Sequence, residues 1–141
     1  MIEAVRRGQL KVLIVDDNSR YRELMVRRLE RKGMETLQAD DGATAISLLM
    51  SMDEALPDAI LMDYFMPIFK GDLATRIIRK LEPIQSIPIL IISAVELGSE
   101  EEGVEKQASL DAGANYFCHK HLKFDQMYEK LVQVSGMRPS A

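Results

Sequence analysis

The stretch Lys11-Val12-Leu13-Ile14-Val15-Asp16-Asp17 (KVLIVDD, residues 11–17) decides the fold of this chain. Four consecutive apolar residues are typical of a parallel strand that helices cover on both faces of its sheet. Two carboxylates follow directly, at the predicted end of the strand. Ligands of open parallel sheets bind in the crevice outside the carboxyl ends of the strands. The stretch therefore predicts a buried strand and a functional site beside it.

Three further apolar runs end in polar residues: residues 59–62 before Asp63, residues 89–92 before Ser93, and residues 116–118 shortly before Lys120. A fifth run, residues 35–39, alternates polar and apolar positions and suits an edge of the sheet, as does the short run before Lys120. Two edge strands around three buried ones predict an α/β fold, a flavodoxin-like (βα)5 doubly wound parallel sheet with strand order 2-1-3-4-5.

Segments with helical spacing separate the strands. Five helices are predicted: one closed by Gly33, one over residues 42–52, one over residues 74–81, one from residue 99 to Ala112-Gly113, and one over residues 124–131.

Several details of these helices are specific enough to be checked. Asp17 or Asn18 is expected to cap the first helix. In the second, Met50 is predicted to face inward together with Ile46 and Leu49, and in the third Leu81 is predicted to lie on the apolar face. Ser99 with Glu102 predicts a capping box at the start of the fourth helix.

Length and composition predict one globular domain. The chain has 141 residues and a net charge of −4 without a clustered basic face, which argues against nucleic-acid binding. No apolar run approaches the roughly 20 residues needed to span a bilayer. Cys118 is the only cysteine, so an intramolecular disulfide is impossible and a reducing cytoplasm is the expected location. We predict a domain over residues 10–134 between tails at residues 1–9 and 135–141.

The residues at the strand ends suit phosphoryl transfer. Asp16, Asp17 and Asp63 would repel one another unless a cation lies between them, and an all-oxygen site with room for water suits Mg²⁺. Asp63 can act as a carboxylate nucleophile that forms an acyl phosphate. The Lys120 ammonium would neutralise charge on the phosphoryl group, and the Ser93 hydroxyl could donate to a phosphoryl oxygen.

Each of these residues also has an ordinary structural interpretation. An aspartate after a strand is often a helix cap, a serine is often a turn residue, and a lysine is usually a solvated surface charge. The coincidence at four strand ends favours a site, because all four ends face the same crevice.

The same residues resemble a family pattern. Over about residues 10–134 the chain resembles a receiver domain of a bacterial-type two-component response regulator, of the chemotaxis-regulator-like single-domain type. The resemblance is carried by residues 11–17, Asp63-Tyr64-Phe65-Met66-Pro67, Lys70-Gly71, Ser93-Ala94, and Gly113-Ala114 followed by Lys120.

The resemblance implies a role for each site residue. Asp63 would be the phosphoacceptor, supplied by a sensor histidine kinase or a histidine phosphotransfer protein. Mg²⁺ would be held by Asp16, Asp17, Asp63 and the backbone carbonyl of Phe65. Lys120 would contact the phosphoryl group. Ser93 and Phe117 would form a switch pair, in which Ser93 moves toward the phosphoryl group and vacates space for Phe117 to turn inward. A downstream protein partner would bind the fourth helix and the last strand, with no contact to nucleic acid or membrane.

The chain departs from the family pattern after Lys120. His121 stands where the family usually has proline, and a cis bond before a non-proline residue costs about 2.5–4 kcal/mol, so the Lys120–His121 bond is predicted to be trans. His119 and His121 would share one side of an extended segment. Two ligands make a poor transition-metal site, and titratable surface histidines are the preferred interpretation.

Three further departures lie near the site. Lys70 replaces the usual Asp or Asn and is expected to add only a surface charge. Phe65, two residues after the phosphoacceptor, cannot hydrogen-bond an attacking water, so slow autodephosphorylation is predicted. The segment around residues 95–98 is longer than in compact relatives, and either alters partner choice or is merely a tolerated loop.

Three classes of function compete. The preferred one is a stand-alone phosphoacceptor that catalyses its own phosphorylation and dephosphorylation without turning over an external substrate. A receiver cut from a larger regulator or hybrid kinase remains an alternative, as does a receiver-fold interaction module that is never phosphorylated. A Mg²⁺-dependent aspartyl phosphatase ranks last, because such enzymes commonly carry a second aspartate where this chain has Phe65.

Overall fold

The computed structural model describes residues 9–137, which form five strands and five helices in alternation. The elements, in chain order, are β1 (Lys11–Val15), α1 (Ser19–Arg31), β2 (Glu35–Ala39), α2 (Gly42–Ser51), β3 (Ala59–Asp63), α3 (Gly71–Ile78), β4 (Ile89–Ser93), α4 (Glu100–Ala112), β5 (Tyr116–His119) and α5 (Phe124–Ser135). All neighbouring strands are parallel, in the order β2-β1-β3-β4-β5. The predicted fold class and strand order are confirmed.

The three central strands supply both halves of the hydrophobic core. Side chains of a strand alternate between the faces of its sheet, so each central strand contributes to two apolar layers. One layer contains Leu13, Val15, Ile60, Met62, Ile89 and Ile91. The other contains Val12, Ile14, Ala59, Leu61, Leu90 and Ile92. Burial on both faces explains why these strands are apolar at every position.

Parallel pairing brings the carboxyl ends of the strands to one edge. Val15 is in register with Met62, and Asp63 is in register with Ile92. Ser93 pairs with His119, directly before Lys120. The polar residues that follow the strands are therefore neighbours in space, as predicted.

The helices differ from prediction at three positions. α3 ends at Ile78, so Leu81 lies in the following turn, where it still packs partly buried against the core. Met50 is exposed, because Ala45 and Leu49 form the buried face of α2. Glu102 does not complete the capping box: Ser99 accepts from its backbone N–H, but the carboxylate bonds Gly98 instead.

Other local predictions hold. Asn18, rather than Asp17, caps α1 by accepting from the Tyr21 N–H. Gly33 follows that helix at a positive φ of 89°, a conformation that glycine adopts without steric cost. The Lys120–His121 bond is trans. Of the predicted tails, residues 1–8 and 138–141 lie outside the described residues, whereas Ser135 is the last residue of α5.

Arg79 links the C-terminal end of α3 to the N-terminal ends of β4 and β5. Its guanidinium donates to the carbonyl oxygens of Gln85, Ile87 and Gly113 and to Oδ1 of Asn115, at 2.7–3.0 Å. These bonds fix the end of α3 against the starts of β4 and β5.

Within residues 9–137, no helix combines the length and the apolar character that a membrane span requires.

Candidate functional site

Three carboxylates converge at the crevice. One carboxylate oxygen from each of Asp16, Asp17 and Asp63 lies within 4.8 Å of the other two. Asp16 and Asp63 are only 1% and 5% exposed, whereas Asp17 is open to solvent. Carboxylate oxygens are hard ligands of the kind that Mg²⁺ prefers, and the exposed side leaves room for the waters it retains. The donor set fits a divalent cation.

Lys120 supplies the positive charge beside the cluster. Its Nζ lies 2.8 Å from Asp16 Oδ2 and 3.1 Å from Asp63 Oδ1, and 4.4 Å from the centre of the Tyr21 ring. Burial acts to lower the pKa of Lys120, but the hydrogen bond and charge of Asp16 and the charge of Asp63 outweigh it and raise that pKa. The lysine is therefore held as an ammonium ion between the two buried carboxylates.

The Asp63 carboxyl is unusual for an aspartate. Burial and the neighbouring Asp16 charge raise its pKa to about 7, against the lowering effect of Lys120. One ammonium ion thus incompletely offsets the cost of placing these carboxylates together. The site has negative charge in excess, which favours a bound cation.

The segment from β3 to the start of α3 packs tightly against Asp63. A Cβ atom on Gly71 would lie 2.4 Å from the backbone oxygen of Asp63, so only glycine fits there. The Gly71 N–H donates to the Tyr64 carbonyl at 2.7 Å. Phe65 projects from this loop and is 54% exposed, with the Lys70 Nζ 4.8 Å from its ring centre. Lys70 therefore contacts an aromatic ring and is not merely a solvated charge.

Ser93 is fully buried and its hydroxyl is already engaged. The hydroxyl donates to Oε1 of Glu105 at 2.5 Å and accepts from the Val95 N–H at 3.0 Å. Glu105 lies on the inner face of α4 and is only 6% exposed. The sequence prediction placed Ser93 at the site but did not identify Glu105.

His119 fastens the long β4–α4 segment. Its Nε2 hydrogen-bonds Oε2 of Glu102, and its Nδ1 lies 3.2 Å from the Val95 carbonyl oxygen. Glu102 also accepts from the Gly98 N–H at 2.8 Å. The His119 and Gly98 hydrogen bonds lower the pKa of Glu102.

The prediction of a surface histidine is therefore wrong for His119 and correct for His121, which is exposed. β5 ends at His119 and a turn begins at Lys120, so the two imidazoles do not continue one extended segment.

Phe117 lies inward in this structure. Its ring is 7% exposed and packs in the same apolar layer as Ile91 and Ala114. The expected inward turn of Phe117 would start from an exposed ring, and the structure shows a buried one.

Comparison with known families decides the assignment. The sequence profile described as "Response regulator receiver domain" matches residues 12–132, which include the whole carboxylate cluster and Lys120. The chain is a receiver domain of the response regulator family.

Curated relatives of this receiver domain differ greatly in length. It is 31% identical to chemotaxis protein CheY-3 of Vibrio cholerae over 94% of this chain and 97% of that protein. It is 36% identical to histidine kinase CKI1 of Arabidopsis thaliana over 72% of this chain, but only 10% of that protein. The response regulator MprA of Mycolicibacterium vanbaalenii, 30% identical over 86% of this chain, is matched over 48% of its length.

Solved structures share the fold of this receiver domain. Vibrio cholerae chemotaxis protein CheY4 superposes with a TM-score of 0.74 at 26% identity, over 89% of this chain and 98% of that one. The receiver domain of sensor histidine kinase PA1611 from Pseudomonas aeruginosa superposes with a TM-score of 0.73 at 29% identity, over 91% and 98%. That structure holds a magnesium ion in its active-site cleft.

The buried hydrogen bond between Ser93 and Glu105 could not be predicted from the sequence. The apolar pattern of α4 is weak because its inner face consists of Glu105, Ser109 and Ala112, at spacings of four and three residues. Polar and small residues at helical spacing resemble an exposed face. The one signal in the sequence was the helical spacing that places Glu105 on the same face of α4 as Ala112.

Proposed function

We propose that this receiver domain accepts a phosphoryl group on Asp63 and thereby changes the proteins it binds. The observation that carries the proposal is Asp63 itself, a buried carboxylate beside two further carboxylates and 3.1 Å from the Lys120 ammonium. A carboxylate can attack phosphorus directly and form an acyl phosphate. Because phosphoryl transfer needs mainly positioning and charge neutralisation, the cluster and the lysine are sufficient machinery.

The residues that would hold Mg²⁺ are Asp16, Asp17, Asp63 and the backbone carbonyl of Phe65. The receiver family binds Mg²⁺ at such an acidic cluster, and the carboxylates present here fit that ion. When bound, Mg²⁺ neutralises charge on the phosphoryl oxygens. Lys120 neutralises charge from the other side, since its Nζ already lies between Asp16 and Asp63.

The phosphoryl donor is proposed to be a sensor histidine kinase or a histidine phosphotransfer protein. An oxygen of the Asp63 carboxylate attacks the phosphorus atom, a new P–O bond forms, and the P–N bond to the donor histidine breaks with its electron pair returning to the imidazole. Hydrolysis of the acyl phosphate later restores the carboxylate. The chain catalyses both steps on itself and turns over no separate substrate.

The output is proposed to pass through Ser93 and Phe117 to a protein partner on α4 and β5. Ser93, at the end of β4, would donate a hydrogen bond to a phosphoryl oxygen. Phe117, which lies on the neighbouring strand β5, would respond to that movement. We propose a cytoplasmic location and no contact with nucleic acid or membrane.

A stand-alone regulator and a receiver within a longer regulator or hybrid kinase would use this site identically. The relatives include both kinds of length, since the chain matches 97% of CheY-3 and 10% of CKI1. The intact mass of the native protein distinguishes the two arrangements.

The proposal is tested with acetyl phosphate and Mg²⁺ as a small phosphodonor. Intact-mass measurement should show one added phosphoryl group on the wild-type chain and none on Asp63→Ala. Asp53→Ala, which removes an exposed aspartate outside the cluster, should be modified like the wild type. Equal labelling of Asp63→Ala would contradict the proposed acceptor. Absence of labelling in all three proteins would favour a receiver-fold interaction module.

A further inference from the structure

Two acceptors would compete for the single proton of the buried Ser93 hydroxyl. A serine hydroxyl donates one hydrogen bond and accepts up to two. Ser93 donates to Oε1 of Glu105 at 2.5 Å, and the Val95 N–H occupies an acceptor position at 3.0 Å. A phosphoryl group on Asp63 would need the same donor. Ser93 cannot serve both acceptors at once, so Glu105 and the phosphoryl group compete for it.

Glu105 depends on this hydrogen bond. Its carboxyl group is buried, and no ion pair within residues 9–137 involves it. Burying a polar group without a partner is costly, and hydrogen bonds to charged groups are stronger than neutral ones. When the Ser93 hydroxyl turns away, Glu105 loses the side-chain partner that offsets its burial. The release of Ser93 therefore has a free-energy cost that Glu105 imposes.

Glu105 also borders open space. It lines a surface groove of about 300 Å³ between the β3–α3 loop and the start of α4, together with Phe65, Lys70 and Val104. A carboxylate released by Ser93 can be hydrated from this groove. Because Glu105 belongs to α4 and Ser93 ends β4, loss of their hydrogen bond removes a direct link between the two elements.

We propose that Glu105 is a positioning residue that holds the Ser93 hydroxyl in the unphosphorylated orientation and couples its release to α4. This inference rests on the proposed function, because the competing acceptor is a phosphoryl group on Asp63. Glu105 thus sets how readily the domain switches, although it does not touch the reacting atoms.

A double-mutant cycle tests the proposal, using Mg²⁺ with beryllium fluoride as a phosphoryl mimic and ¹⁹F NMR of the bound mimic to measure its dissociation constant. Glu105→Gln keeps the shape but is a weaker, neutral acceptor, so the mimic should bind about five-fold to ten-fold more tightly. The same substitution in a Ser93→Ala background should have no effect, because no hydroxyl remains to be released. Glu101→Gln, an exposed glutamate of the same helix, should match the wild type.

The outcomes that would contradict the role of Glu105 differ from those that would contradict the proposed function. Unchanged affinity in Glu105→Gln, or an equal change with and without the Ser93 hydroxyl, overturns the role of Glu105 while leaving the proposed function intact. A wild-type chain that binds no mimic overturns both. If Glu105→Gln does not fold, the wild type alone decides: the ¹³C carboxyl resonance of Glu105 should move when the mimic binds, and a fixed resonance refutes the competition.

Discussion

Lys120 and Asp63 form an ion pair across the crevice, with Nζ 3.1 Å from Oδ1, although neither side chain is open to bulk solvent. Removing the ammonium would leave Asp16 and Asp63 buried without their shared counter-charge. We expect Lys120→Met to slow phosphorylation by acetyl phosphate at least about tenfold, because charge on the phosphoryl group would be neutralised from one side only. The rate is followed by intact mass. Lys106→Met, on the exposed face of α4, is the matched control, and an unaffected rate in Lys120→Met would contradict this role.

The raised pKa of Asp63 predicts a specific pH dependence of stability in the presence of a chelator. The folded protein holds the Asp63 proton up to a pKa of about 7, whereas the ordinary value is 3.8. Between those values the folded state binds more protons than the unfolded state, so this group makes stability fall as pH rises.

Urea unfolding from pH 4 to pH 8 measures the effect. The Asp63→Asn variant cannot ionise, so its stability should fall less over this range than that of the wild type. Parallel pH profiles for the two proteins would show that Asp63 titrates normally.

We expect Mg²⁺ to stabilise the folded chain through the exposed Asp17 as well as the buried Asp16 and Asp63. A ligand at one hundred times its dissociation constant adds about 2.7 kcal/mol to the free energy of unfolding. We expect Asp17→Asn to reduce the Mg²⁺-induced rise in melting temperature, while Asp53→Asn keeps it. Because Asp17 is exposed, the substitution should leave the metal-free melting temperature almost unchanged. An undiminished Mg²⁺ effect in Asp17→Asn would remove Asp17 from the metal site.

Phe65 should control how long a phosphoryl group persists. Phe65 lies two residues after Asp63, and its exposed ring cannot orient a water molecule by hydrogen bonding. Phe65→Asn should shorten the half-life of phospho-Asp63 several-fold, because an amide can position the attacking water. The half-life is read from intact mass after removal of the phosphodonor. Leu97→Asn, a similar change at another exposed apolar position, should leave it unchanged, and an equal half-life in Phe65→Asn would refute the shielding role.

Two glycines offer opposite predictions for the same substitution. Gly71→Ala would place its Cβ 2.4 Å from a backbone oxygen, and such overpacking costs about 1–3 kcal/mol or more. Gly103 lies inside α4, and no side chain beyond its chain neighbours lies within 4 Å of the position that an alanine methyl group would take. Gly103→Ala should therefore stabilise the chain by about 0.5–1 kcal/mol. Chemical unfolding compares the two. Equal effects would mean that the β3–α3 loop moves freely away from Asp63.

The strand ends could be predicted from sequence because burial on two faces leaves a clear apolar run. Asp16, Asp63, Ser93 and Lys120 were each found in this way, and parallel pairing brings them together. The partner of Ser93 could not be predicted, because Glu105 is an acidic residue on a helix whose inner face is polar. A buried carboxylate depends on a hydrogen bond twelve residues away in sequence, and spacing alone does not encode that bond.

Helix boundaries show the same limit. Leu81 fits the apolar period of α3, but the chain turns after Ile78 and buries that side chain from outside the helix. Met50 fits the period of α2, yet Ala45 and Leu49 form the face that packs against the sheet and Met50 is exposed. In both cases the packing partner, not the local pattern, decides the outcome.

The hydrogen bonds that anchor the β4–α4 segment make it suitable for site-specific labelling. His119 and Glu102 hold Val95 and Gly98 from either side, so Leu97 stands exposed on an anchored loop. The native thiol, Cys118, is buried and its pKa is raised by burial to about 12, which makes it a poor nucleophile toward labelling reagents. A cysteine placed at residue 97 would then be the single reactive thiol. A fluorophore attached there could report conformational events in the crevice without disturbing the core.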